Sequence, residues 1–283
     1  MMKRLLFIVI GIAFLITAGG CAGEPAKTVS AFVGSASKPP MEEAALAFER
    51  ETGIQVYTNY GGSGTMLSQI ELSKSGDIYI PGSPDYMAKA ERKGVIDPAS
   101  AKILAYLVPV IAVRKGNPLN IRSLADLARP GLKIGIANPE AVCVGLYAVE
   151  ILSYNNLLAD VGKNIIVNVE SCEKTATLIS LKTVDAVIGW DVFHEWDPDN
   201  IDVVYLEPAQ LPRLAYIPAA ISAFAADKAN ARKFIDYLVS TDGQEIFEKW
   251  GYITTEAAAR EFAPDAEIGG EYQLPADYQD LMK

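Results

Sequence analysis

Residues 54–70, IQVYTNYGGSGTMLSQI, read as a strand, a glycine-dense turn and the first turns of a helix. Ile54, Val56 and Thr58 alternate with Gln55, Tyr57 and Asn59, as the two faces of a half-buried strand do. Gly61, Gly62 and Gly64 flank Ser63, and Met66, Leu67 and Ile70 then recur at helical spacing. A helix start carries unpaired backbone N–H groups and about half a unit of positive charge. Glycines such as Gly62 let a ligand approach that backbone, and the hydroxyls of Ser63 and Thr65 add donors. The stretch therefore suits an anion held by neutral groups. It equally suits an ordinary strand-to-helix turn capped by Ser63.

Working outward, the first residues carry a targeting pattern. Lys3 and Arg4 precede an apolar run over 5–16, and the small residues Ala18, Gly19 and Gly20 lead to Cys21. The run is short for a membrane-spanning helix, and charge, apolar run and small residues in that order mark a secretory signal over 1–20. A cysteine directly after the small residues resembles the lipobox of exported lipoproteins, with Ala18 where a leucine is usual. This predicts lipidation at Cys21 ahead of plain cleavage, with 21–28 as the linker. A retained anchor would leave the chain facing outward too. The 283 residues are 50% hydrophobic and carry a net charge of −10. A body this acidic is a poor partner for nucleic acid or anionic lipid, so any bound anion must be held by local donors.

The rest alternates strands with helices. Residues 29–33 form a strand, a small-residue turn holds Ser35 and Ser37, and Pro39-Pro40 open a helix with Met41, Ala44, Ala45 and Phe48 on one stripe. A short strand over 77–80 precedes a helix over 84–93. The apolar run 104–113 is long enough to leave one lobe and enter another. The pattern then repeats, with strands over 132–137, 165–169 and 185–189 and helices over 144–152 and from Ser171 onward. Residues 214–224 read as a strand returning to the first lobe, two helices follow over 229–238 and 242–250, and 263–283 form an extended tail. Such alternation implies a mainly parallel sheet in each lobe, with ligands at the carboxyl ends of the strands.

In combination, AFVGSASKPPMEEAALAFE, TNYGGSGTMLSQIELSKSGDIYIPGSPDYM, KIGIANPEAVCVGLYAVEIL and AVIGWDVF resemble the substrate-binding proteins of ABC importers, in particular the molybdate/tungstate-binding family. The resemblance spans 29–254. It implies a type II periplasmic-binding-protein-like α/β fold. The first lobe would comprise 29–108 and 221–262 and the second 109–220, with a tetrahedral oxyanion in the cleft between them. It also implies an importer permease with its ATPase as partner, a monomer touching the membrane only through its lipid, and no cofactor. Carried over by position, the family's serine ligands fall on Ser63 and on Ser35 or Ser37. Its backbone donors fall on Val144 and near Lys174 or Thr175, and its tyrosine ligand falls on Trp190. That last departure matters, because an indole N–H only donates, whereas a tyrosine hydroxyl also accepts. Glu140 and Asp191 are the candidates for the carboxylates that complete six-coordination in some relatives.

Neutral donors aimed from helix starts can hold a doubly charged oxyanion. A protonated phosphate would need an acceptor, which a fully ionised anion would be penalised by. Ser63 in its glycine-rich turn also resembles a nucleophile elbow, with His194 as the lone candidate base, but Thr65 stands where the elbow's second glycine belongs. No zinc-like spacing of Cys and His is present. With Cys21 lipidated, Cys143 and Cys172 are an even pair in an exported protein. Both lie in turns of the second lobe that face the same anion, which makes them a candidate disulfide fixing two donor-bearing turns.

Overall fold

The computed structural model describes residues 27–281, so the signal over 1–20, Cys21 and nearly all of the linker lie outside the described residues. Three strand–turn–helix units come first: β1 (Thr28–Gly34) with α1 (Lys38–Thr52), β2 (Gln55–Gly61) with α2 (Ser63–Ser73), and β3 (Ile78–Ile80) with α3 (Pro84–Arg92). β4 (Lys102–Leu107) and β5 (Pro109–Arg114) follow. Next come β6 (Ile134–Ala137), α4 (Cys143–Tyr154), α5 (Leu158–Gly162), β7 (Ile165–Val169), α6 (Cys172–Ser180), β8 (Ala186–Trp190), α7 (Phe193–Trp196) and β9 (Ile201–Tyr205). β10 (Arg213–Ile221), α8 (Lys228–Leu238), α9 (Thr241–Lys249), α10 (Glu256–Arg260), β11 (Glu267–Ile268) and α11 (Tyr278–Leu281) complete the chain.

These strands form two sheets, one per lobe. The first runs β11-β10-β3-β1-β2, with β4 also paired to β10, and the second runs β7-β6-β8-β5-β9. In each, the strands that feed helices run parallel to one another, and the strand arriving from a crossover is antiparallel to those it joins, although β10 also pairs in parallel with β11. The α/β architecture is thus as expected, in mixed sheets. Local chemistry explains the elements. α1 takes Pro39 and Pro40 in its first turn, where the missing N–H groups are not needed, and stops at Gly53 with φ 68°. α4 is buried on every side from Cys143 to Leu152, so its sequence is apolar all round except for Glu150.

Four features of the chain depart from the pattern read in the sequence. The run 104–113 is two strands, because β4 bonds into the first sheet and β5 into the second, with Val108 at the break. Pro109, which has no N–H, begins the new strand. β10 lies wholly in the first sheet, so residues 213–220, read with the second lobe, are hydrogen-bonded into the first. Its register shifts at Pro218, where a bulge absorbs the missing donor. β9 was not anticipated at all. The tail is not simply extended: β11 pairs with β10, and Ala263, Ala266 and Tyr278 are buried in one cluster with Leu158 and Val161 of α5.

Candidate ligand-binding site

Three turns of the first lobe and two of the second meet at the carboxyl ends of their strands. Ser63 opens α2 with its side chain fully buried, and its Oγ accepts the Gly82 amide at 3.0 Å. A hydroxyl whose lone pair is engaged in this way is oriented to give its own hydrogen elsewhere. Ser35 and Ser37 part company. Ser37 Oγ turns back toward the Gly34 carbonyl at 3.4 Å, whereas Ser35 Oγ faces the Glu173 amide of the second lobe at 3.5 Å. Of the two first-turn serines, Ser35 is the one directed across the cleft.

The second lobe contributes the starts of α4 and α6. Val144 lies fully buried in the first turn of α4. Lys174 and Thr175, expected to offer donors, use them inside α6: the Lys174 amide donates to Ser171 Oγ at 3.1 Å and the Thr175 amide to the Ser171 carbonyl at 3.0 Å. The Thr175 hydroxyl also donates to that carbonyl, and the Lys174 ammonium pairs with Glu170. A Ser171 cap therefore moves the free end of α6 back to Cys172, the Glu173 amide already facing Ser35 Oγ. Trp190 ends β8 fully buried, edge-on to Tyr147 with ring centroids 5.2 Å apart, and its Nε1 has no hydrogen-bond partner among the described residues. A buried indole N–H without a partner is costly, and an anion would satisfy it.

The carboxylate candidates lie elsewhere. Glu140 accepts from the Tyr278 hydroxyl at 2.7 Å and from Gln279, so it holds the C-terminal helix. Asp191 clamps the crossover: its Oδ1 accepts the Val108 amide at 3.2 Å and its own amide donates to the Val108 carbonyl at 3.0 Å. Burial pushes its carboxyl up to about 7 against the pull of the backbone amides it faces. The two cysteines are brought together, yet stand as free thiols with the sulfurs 3.7 Å apart.

The lobes meet closely around these groups. A Cβ on Gly62 would lie 2.8 Å from both the Ala141 and the Glu170 carbonyl oxygens, so only glycine admits the second lobe here. A Cβ on Gly82 would lie 2.6 Å from Cys143 Sγ. The Gly64 amide donates to Ala141 O at 2.8 Å across the seam, and at the rim Lys38 pairs with Glu173 at 2.8 Å. The Gly82 turn was missed in the sequence; Pro81-Gly82-Ser83 between a three-residue strand and a helix was its signal. His194 is remote in role, with Nδ1 2.8 Å from the Ile201 carbonyl.

A model of the bacterial extracellular solute-binding proteins matches residues 29–253. The chain belongs to that family. Among its relatives, a "putative binding protein" of Haemophilus influenzae is 29% identical over 157 residues, spanning 56% of this chain and 63% of that protein. YvgL of Bacillus subtilis, a "putative ABC transporter substrate-binding lipoprotein", is 25% identical over 88% of this chain and 98% of its own. ModA of Escherichia coli, a "molybdate-binding protein", is 23% identical over 87% and 96%. The solved periplasmic molybdate-binding protein of Azotobacter vinelandii superposes with a TM-score of 0.72 at 19% identity, covering 81% of this chain and 100% of that one, which speaks for the fold. This solute-binding protein thus comes from a family of binding proteins and not of enzymes, and the hydrolase reading of Ser63 falls. No helix of the described residues is long and apolar enough to cross a membrane.

Proposed function

We propose that this protein is the extracytoplasmic receptor of an ABC importer, lipid-anchored through Cys21, that captures a fully ionised tetrahedral oxyanion of the molybdate and tungstate class. The observation that carries the reading is Ser63: a buried hydroxyl that accepts from Gly82 and so gives its hydrogen into a cleft of neutral donors. Ser35, the backbone at Gly62 and Val144, the Cys172 amide at the start of α6 and the Trp190 indole supply the remaining donors. Neutral donors at helix starts favour an anion without a bonded proton. The ligand named for the ModA relatives is of that kind. The importer permease and its ATPase are the partners this role requires.

A groove of about 400 Å³ beside the site, lined by Ser35, Tyr60, Gly62, Thr65, Ser171 and Lys174 among others, favours a second reading, a phosphate ester or small organic acid whose body lies along it. Thermal unfolding against molybdate, tungstate, sulfate, phosphate, a sugar phosphate and a hydroxy acid separates the two, since a ligand of the native state raises stability as ln(1 + [L]/Kd). A shift with the organic anions alone would overturn the first reading.

Ser63→Ala is expected to weaken binding of the preferred anion by about 1.5–3 kcal/mol, the value of a hydrogen bond to a charged group, or roughly 10- to 150-fold in Kd. Calorimetry giving equal affinity for the variant and its parent would remove Ser63 from the site. Trp190 is expected to report binding through its fluorescence, and Trp190→Phe to abolish that change. If the signal survives in Trp190→Phe and vanishes in Trp196→Phe or Trp250→Phe, the indole donor is misplaced.

A further inference from the structure

We propose that Cys143 and Cys172 are a reversible dithiol–disulfide couple that opens to oxidants only when the lobes part, and that the dithiol is the form that captures ligand. The ligand arm of this proposal rests on the oxyanion reading above; the couple itself does not. Both thiols are almost wholly buried, and their sulfurs face each other at 3.7 Å. They sit at the first positions of α4 and α6, so a bond between them stays within the second lobe and does not cross the seam. What covers Cys143 belongs to the other lobe. Gly82 is so close that a methyl group there would strike the sulfur. Parting the lobes removes that cover.

The reaction is ordinary thiol–disulfide exchange. A thiolate of one cysteine attacks an external disulfide and releases one thiol. The second cysteine then attacks the mixed disulfide and releases the other thiol. Two protein thiols and one small disulfide become one protein disulfide and two small thiols. Reactivity follows the thiolate, and burial in the closed form pushes the Cys143 thiol well above its ordinary value, so the closed pair is inert. A disulfide needs sulfurs about 2.05 Å apart. Contracting from 3.7 Å shifts the helix starts that carry the Val144 and Cys172 amides. Both S–H donors leave the site as well.

The test uses the folded full chain, reduced and then treated with oxidised glutathione. Mass spectrometry is expected to show loss of two hydrogens and a 143–172 cross-link. Gly62→Val, whose side chain wedges the seam, should cross-link at least fivefold faster than the parent, and saturating molybdate should slow the parent at least tenfold. The oxidised chain is expected to bind molybdate at least tenfold more weakly, with dithiothreitol restoring it, and Cys143→Ser and Cys172→Ser should each abolish the response. Absence of the cross-link in folded protein, or equal rates in parent and Gly62→Val, overturns the couple. Equal molybdate affinity in the two forms overturns its bearing on capture. Cross-linking at the expected rates, with no molybdate or tungstate binding in either form, supports the couple and counts against the oxyanion reading instead.

Discussion

Arg213→Met is expected to lower the stability of the folded chain by about 3–5 kcal/mol, the usual cost of breaking a buried ion pair from one side. Arg213, at the start of β10, is 4% exposed, and its guanidinium makes four kinds of contact. It grips Glu150 of α4 with bonds of 2.8 and 2.6 Å, reaches Asp85 of α3 at 3.2 Å, donates to the Gly269 carbonyl and lies 4.6 Å above the Tyr147 ring. Asp85 and Glu150 come from opposite lobes, and both are buried. Burial alone pushes the Glu150 carboxyl up, and the hydrogen bond from Arg213 is what opposes this. Methionine fills much of the same volume but leaves two acids without a cation. Urea titration at neutral pH measures the loss, and part of it should return in acid as Glu150 takes up a proton. The triple variant Arg213→Met, Glu150→Gln, Asp85→Asn should recover most of the stability, since well-packed neutral groups often replace buried charges at little cost. A single variant as stable as the parent would mean that water already reaches the cluster.

Asp191→Asn is expected to act in the opposite direction and to depend on pH. The folded carboxyl is pushed up to about 7, against about 3.9 for an unfolded aspartate. Between those values the folded chain holds a proton that the unfolded chain has released, so stability falls as pH rises through the window. The penalty is absent below the unfolded value and complete above the folded one. Three pH units correspond to a loss on the order of 4 kcal/mol. Asparagine keeps an oxygen for the Val108 amide and carries no charge. The variant should match the parent near pH 4 and exceed it by up to that amount at pH 8, with the gap opening between. Urea titrations at pH 4, 6 and 8 check this, and parallel curves for the two proteins would place Asp191 in water.

Much of this arrangement was legible in the residues, and the failures have physical causes. Strand–turn–helix units announce themselves locally, so Ser63, the α4 start at 143–144 and the Trp190 turn were found where they lie. Val108 was not, because a strand that changes sheets looks continuous while its pairing partners remain unknown. The choice between Ser35 and Ser37 turns on which hydroxyl faces the other lobe, and spacing does not encode that. Lys174 and Thr175 were displaced by one capping bond, a boundary shift of two residues that sequence patterns resolve poorly. The tail read as loop because its burial comes from a distant cluster around α5. Arg213, the cation that joins the lobes, carried no local signal.

The Gly64 amide and the Ala141 carbonyl join the lobes through main chain alone. Every residue except proline has that amide, and every residue has that carbonyl, but a Cβ at 64 would lie 3.1 Å from the Ala141 Cα, so glycine is what lets the two main chains meet. On the reading proposed above, side chains enter at Ser35, Ser63 and Trp190, where the choice of guest would be made. On that reading, single substitutions at those three positions would retune what this protein selects while the main-chain contact across the seam stays in place. At Gly62, which is packed against the second lobe and is a proposed donor, selection and closure would change together.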